Sequence, residues 1–196
     1  MKKILVVVDM QNDFITGPLG TPEAVSIVDK VVEKINETEK SLIVCTFDTH
    51  NDKYKYTQEY GKLPVRHCIY GEDGWYLHSK VSRAVWGKSP VYMTKPTFGC
   101  LDLVKAVDTW TRQYGDIELT LVGVCTDICV ISNALLLKAH YPEMTIIVDA
   151  SCCAGSTPVK HMEALDIMRS CQIDVINDGV PACDILEDLF SRESEG

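Results

Sequence analysis

The 196-residue sequence predicts an α/β fold: a three-layer, doubly wound, mostly parallel six-stranded sheet with helices on both faces. Three observations predict it. Short apolar runs alternate with amphipathic ones about six times along the chain, the pattern of strands joined by crossover helices. Two of the helix starts, Thr21-Pro22 and Thr157-Pro158, pair a capping hydroxyl with a proline whose φ suits the first helical position. Finally, the run Leu119–Val122 closes on Gly123 and leads into VCTDICV, which reads as a buried strand, a tight turn and the start of a helix.

The elements follow in order. Lys3–Val8 is the first strand; its apolar run lasts five residues and ends at Asp9, too short for the core of a signal peptide. The helix from Thr21 carries Val25, Val28, Val31, Val32 and Ile35 on one face. Ser41–Phe47 is the second strand. Residues 48–88 are polar, aromatic and poor in periodicity, and so long a segment points to function. Pro90–Thr94 is a short strand, and Leu101, Val104 and Val107 mark the next helix. After the central strand, a helix runs from Asp127 through Leu137 to His140. Then come the strand Met144–Val148, a helix from Thr157 to Met168, the strand Ile173–Ile176 and a closing helix Ala182–Phe190 before a frayed acidic tail.

With 46% hydrophobic and 24% charged residues, residues 1–196 read as one domain able to bury a core. A net charge of -9 without a basic stripe excludes a nucleic-acid groove or an anionic membrane surface as partner. No apolar stretch approaches the ~20 residues that cross a bilayer. The nine cysteines are odd in number, embedded in apolar segments and without a CxxC pair. They fit a reducing cytoplasm better than a disulfide framework or a zinc ribbon.

In a parallel sheet the site lies at the carboxyl ends of the strands. Those ends carry Asp9, Asp48, Lys95, the Val124–Cys125 loop, Asp149 and Asn177. Cys129 falls in the first turn of a helix, where the helix terminus is expected to lower a thiol pKa.

Four stretches, VVVDMQNDF at 6–14, KPTFG at 95–99, GVCTDICV at 123–130 and VDASCCAGS at 148–156, closely resemble the isochorismatase-like cysteine hydrolases. The resemblance implies a catalytic triad of Asp9, Lys95 and Cys129. It also implies a non-proline cis peptide at Val124–Cys125 and an oxyanion hole from the backbone N–H groups of Cys125 and Cys129. These roles agree with the chemistry: a carboxylate takes the thiol proton and passes it to a leaving amine, while a lysine stabilises the charged pair.

DTH at 48–50, Glu59 and PVRHC at 64–68 resemble the metal site of the nicotinamidase branch, implying Asp48, His50, Glu59 and His67 as ligands. Two imidazoles with two carboxylates suit zinc, with iron or manganese as alternatives. The branch hydrolyses nicotinamide, a small-molecule amide, to nicotinate and ammonia. Phe14 and Phe98 resemble the positions that stack the substrate ring. The tryptophan that some nicotinamidases carry shortly before the third metal ligand is absent here, where Lys62, Leu63 and Pro64 stand. The alternatives are a relative acting on another small amide or ureide, a non-catalytic binding or oligomerisation module, and a redox role for Cys152 and Cys153 or for Cys125 and Cys129. The family resemblance also implies a homo-oligomer as a possible state.

Overall fold

A computed structural model describes residues 1–38 and 43–179. The expected closing helix Ala182–Phe190, the acidic tail and the start of the second strand, Ser41–Leu42, lie outside the described residues. The chain begins with β1 (Lys2–Val8), in which Ile4 through Val8 are all buried, as a strand covered on both faces requires. Alternation sends Ile4, Val6 and Val8 into one helix layer and Leu5 and Val7 into the other. Short helix α1 (Asn12–Ile15) follows, then α2 (Pro22–Ser26) and α3 (Val28–Glu37). Thr21 caps α2, its hydroxyl accepting the Ala24 N–H at 3.0 Å.

The single helix expected from Thr21 is therefore two, broken at Ile27, and the buried face runs through Ala24, Ile27, Val28, Val31 and Ile35. Val25 is 50% exposed because it belongs to the short first piece. Next come β2 (Ile43–Asp48), a 3-10 turn (Tyr54–Tyr56), α4 (Gln58–Lys62) and a second 3-10 turn (Asp73–Trp75). After these stands α5 (Ser79–Val85), which seats Val81 and Val85 in the core against α3. The segment read as poor in regular structure thus holds a core helix, too short to show its period. Then β3 (Val91–Lys95), α6 (Leu101–Tyr114), β4 (Ile117–Val124), a π-helical turn (Thr126–Val130) and α7 (Ile131–His140) lead to β5 (Thr145–Ala154), α8 (Pro158–Ser170) and β6 (Asp174–Ile176). In α6 the buried row is Leu103, Val104 and Val107, while Leu101 faces outward at 64% exposure.

The six strands among the described residues are all parallel, in the order β3-β2-β1-β4-β5-β6. The direction of winding reverses between β1 and β4, so a crevice opens at their carboxyl ends. Gly123 makes that junction possible. Its φ is +119°, and a Cβ there would lie 2.1 Å from the Val8 carbonyl oxygen. Strand β5 runs past its expected end at Val148, pairing Cys153 with Gly123 after a register shift. Asp149 is consequently mid-strand, bonded to Ser151, Asn177 and Lys34 rather than turned toward the crevice. No helix among the described residues is long and apolar enough to cross a membrane.

Candidate active site

Asp9 follows β1 with a positive φ of 49°, Lys95 ends β3, and Cys129 sits in the π-helical turn after β4. Three separate strands bring them together. Lys95 Nζ lies 2.6 Å from Asp9 Oδ2 and 3.4 Å from Cys129 Sγ, and all three residues are buried. Thr46, in the middle of β2, donates its hydroxyl to Asp9 Oδ1 at 2.7 Å and accepts the Asp9 N–H at 3.3 Å. The Val124–Cys125 peptide is cis.

Burial and the Asp9 charge push the Cys129 thiol well above its ordinary value, Lys95 opposing them. The helix-terminus expectation is therefore reversed: desolvation outweighs a dipole worth ~1 kcal/mol. Burial also raises Asp9, against the Lys95 charge. Lys95 rises too: burial opposes its charge, yet Asp9 and Cys129 favour it more strongly. A thiol held protonated beside a carboxylate of raised basicity can surrender its proton when a substrate arrives.

The second cluster stands next to the first. Asp48 ends β2 in register with Lys95, and the loop beyond it returns to set His67 against His50. One ligand atom from each of Asp48, His50 and His67 lies within 4.8 Å of the others. Asp48 Oδ2 is 3.1 Å from His50 Nε2 and 3.3 Å from His67 Nε2, while Glu59 Oε1 stands 3.6 Å from both nitrogens. Two features fit these residues to a metal ion. His50 Nε2 is buried without a hydrogen-bond partner despite its closeness to Asp48. His67 Nδ1 is 2.8 Å from the Val65 carbonyl, to which it donates, leaving the Nε2 lone pair aimed into the cluster. Burial disfavours charge here, yet the two imidazoles and Lys95 hold Asp48 well below the usual carboxylate range. Against its own burial, Asp48 and Glu59 push His50 up to about 9. Such paired groups exchange protons for a cation readily.

The isochorismatase domain matches residues 3–178, nearly the whole chain. The chain belongs to the isochorismatase family. It is 25% identical over 186 residues to the nicotinamidase/pyrazinamidase of Mycobacterium tuberculosis, covering 89% of this chain and 98% of the relative. The solved pyrazinamidase of Pyrococcus horikoshii in complex with zinc superposes with a TM-score of 0.73 at 27% identity, covering 90% of this chain and 99% of that one. The N-carbamoylsarcosine amidase of Thermoplasma acidophilum does so at 0.69 and 26%, covering 93% and 99%.

Around the two clusters stand supporting residues that the sequence pattern did not single out. Gln11 is buried and bonds both the Asp48 N–H (2.8 Å) and the Asp48 carbonyl (2.9 Å), with a further bond to the Trp75 carbonyl at 2.8 Å. Asp13 accepts the Cys68 N–H at 2.7 Å, anchoring the residue after His67. Both lie inside VVVDMQNDF, so their neighbourhood to Asp9 was the available signal. Thr46 gave none, standing in an apolar strand.

Phe14 is buried with its ring 5.7 Å from His67. Phe98 is 48% exposed and walls a groove of about 340 Å³ with Pro96, Thr97, Gln58, Glu59 and Lys62. The two phenylalanines therefore occupy different depths: one beside the histidines, one at the rim. Cys152 and Cys153 point into opposite helix layers, and every described cysteine is a free thiol.

Proposed function

We propose that this protein is a nicotinamidase, a cysteine amidohydrolase that converts nicotinamide to nicotinate and ammonia. The observation that carries the reading is the adjacency of the buried Asp9–Lys95–Cys129 group to the Asp48–His50–His67 cluster, a nucleophile beside a site for a cation. The nicotinamidase and pyrazinamidase relatives support it. Asp48, His50, His67 and Glu59 would hold a divalent ion, zinc by donor set with iron or manganese as alternatives, which when bound supplies a Lewis-acid anchor for the substrate ring.

The residues of the chain then act in two halves. Asp9 takes the Cys129 proton as sulfur adds to the carboxamide carbon. The oxygen gains charge, facing the backbone N–H groups of Cys125 and Cys129 in the roles the family assigns them. Asp9 returns the proton to nitrogen, the C–N bond breaks, and ammonia leaves a thioester on Cys129. In the second half Asp9 takes a proton from water as its oxygen adds to the thioester carbon. The C–S bond breaks, the thiolate recovers the proton, and nicotinic acid departs, losing its carboxyl proton to solvent to become nicotinate. Lys95 keeps its charge throughout and offsets the negative charge that passes between Asp9 and Cys129. Phe14 gives the ring an apolar wall beside His67.

Ammonia release from nicotinamide tests the reading. The metal-replete protein is expected to release it, chelation to suppress release until metal is restored, and Cys129→Ala to abolish it. No release from metal-replete protein would sink the substrate assignment. A second reading, a ureide or other small amide, is favoured by the comparable likeness to N-carbamoylsarcosine amidase and by Lys62-Leu63-Pro64 where some nicotinamidases carry tryptophan. Ammonia from N-carbamoyl amino acids that persists after chelation would select it.

A further inference from the structure

One fully buried polar side chain joins the two halves of the triad's surroundings without a part in the chemistry above. Asn133 stands in the first turn of α7 at 0% exposure. Its Nδ2 donates to the Cys129 carbonyl at 2.7 Å and to the Phe98 carbonyl at 3.2 Å, and its Oδ1 accepts the Cys100 N–H at 2.8 Å. A single amide thus bonds the nucleophile's own main chain and the loop that continues from Lys95. That loop packs directly on α7: a Cβ on Gly99 would meet Leu136 Cδ2 at 3.3 Å and the Ser132 carbonyl at 3.5 Å.

The chemistry of the tie is specific. Two carbonyl acceptors and one N–H donor need a group with two donors and one acceptor in a plane, which asparagine has. Aspartate has no donor when ionised, and leucine of similar shape has neither donor nor acceptor. Serine in a helix bonds the carbonyl four residues back, which from position 133 is Cys129, but cannot also reach the loop.

We propose that Asn133 is a positioning residue that locks the Cys129 turn to the 95–100 segment, holding Sγ against Lys95 and Phe98 at the rim of the site. It acts through the main chain of Cys129 and touches no reacting atom. The choice of substrate rests on the nicotinamidase reading; the geometric claim does not.

The test uses the full-length protein with Asn133→Leu and Asn133→Ser. The first readout is the pH midpoint of Cys129 alkylation by iodoacetamide, located by mass spectrometry. It needs no substrate and reports on Sγ against the charged groups around it, Asp9, Lys95 and Asp48, all unaltered. The second readout is kcat and KM with nicotinamide. Folded Asn133→Leu should show a displaced midpoint, and kcat should fall by ~10- to 100-fold, as for ångström-scale misplacement of a reacting group. Asn133→Ser rebuilds the Cys129 bond and should keep the wild-type midpoint and kcat while its KM rises several-fold as Phe98 loosens. Folded Asn133→Leu with wild-type midpoint and kcat overturns the proposal. So does Asn133→Ser with wild-type KM, or with a midpoint as displaced as that of leucine. Should the leucine variant not fold, the serine variant decides by its KM. A wild-type protein inactive on nicotinamide would fail the substrate reading alone, and the midpoints would still judge Asn133.

Discussion

Replacing Lys95 with methionine probes the buried pair that organises the site. Lys95 and Asp9 are 1% and 0% exposed, with 2.6 Å between Nζ and Oδ2. Without the cation the buried Asp9 carboxylate keeps the Thr46 hydroxyl on Oδ1 but has no compensating charge, and removing one partner of such a pair costs about 3–5 kcal/mol. Protonation limits the loss. Neutralising a carboxyl of ordinary pKa 3.9 at pH 7 costs about 4 kcal/mol, at 1.36 kcal/mol per pKa unit, and about 1.5 kcal/mol at pH 5. The sign follows from linkage: with Asp9 protonated in the folded variant and ionised when unfolded, the folded state binds the extra proton, so the variant regains stability as pH falls. Urea unfolding of wild type and Lys95→Met at both pH values should show a deficit near 4 kcal/mol shrinking to roughly 1.5 kcal/mol, the larger corresponding to about 8–16 °C in Tm. The double variant Asp9→Asn/Lys95→Met, which buries no unpaired charge, should lose less than half of the sum of the single losses. A deficit independent of pH together with additive losses would refute the account of Asp9 and Lys95 as mutually compensating charges.

Further predictions concern the thiol, the metal ligands and the far side of the sheet. Because the Asp9 charge raises the Cys129 pKa, Asp9→Asn should move the alkylation midpoint down; an upward shift would contradict this electrostatic picture. Metal content measured by inductively coupled plasma should vanish in Asp48→Ala and His67→Ala. Glu59→Ala should retain metal with ~10-fold weaker affinity, since Glu59 Oε1 stands farther from both nitrogens than Asp48 Oδ2 does. Gln11→Leu, which never touches the ligand atoms, should weaken metal binding by ~10- to 100-fold through the Asp48 main chain; unchanged affinity would remove it from the supporting set. Asp149 is lowered, its burial overcome by hydrogen bonds from Lys34, Ser151 and Asn177. Its stabilisation is therefore present above about pH 4 and lost as pH falls through the folded value, so Asp149→Asn should flatten the acid limb of a stability-pH curve. An acid limb identical to wild type would assign that loss to other carboxyls.

What the sequence determined by itself was the layering and the cast of the site. Apolar runs of strand length separated by amphipathic stretches leave the chain only a parallel sheet covered on both faces. The carboxyl-end rule then singles out Asp9, Asp48, Lys95 and the Val124–Cys125 loop before any coordinate is known, together with Asp149 and Asn177, which the structure bonds to each other instead. The DTH and PVRHC stretches marked His50 and His67 through their resemblance to the metal site of nicotinamidases, a donor set that suits a divalent ion. Tertiary structure decided what depends on distance between remote residues. The break at Ile27, the core role of α5 and the extension of β5 past Asp149 follow from packing against elements far along the chain, which no local period encodes. The protonation of Cys129 turned on burial beside Asp9 rather than on its place in a helix, because desolvation is a property of the surrounding fold. Thr46 and Asn133 were silent in the sequence for the same reason: a hydroxyl in an apolar strand and an amide in an apolar helix acquire meaning only when the fold sets an unsatisfied carboxylate or main-chain group against them.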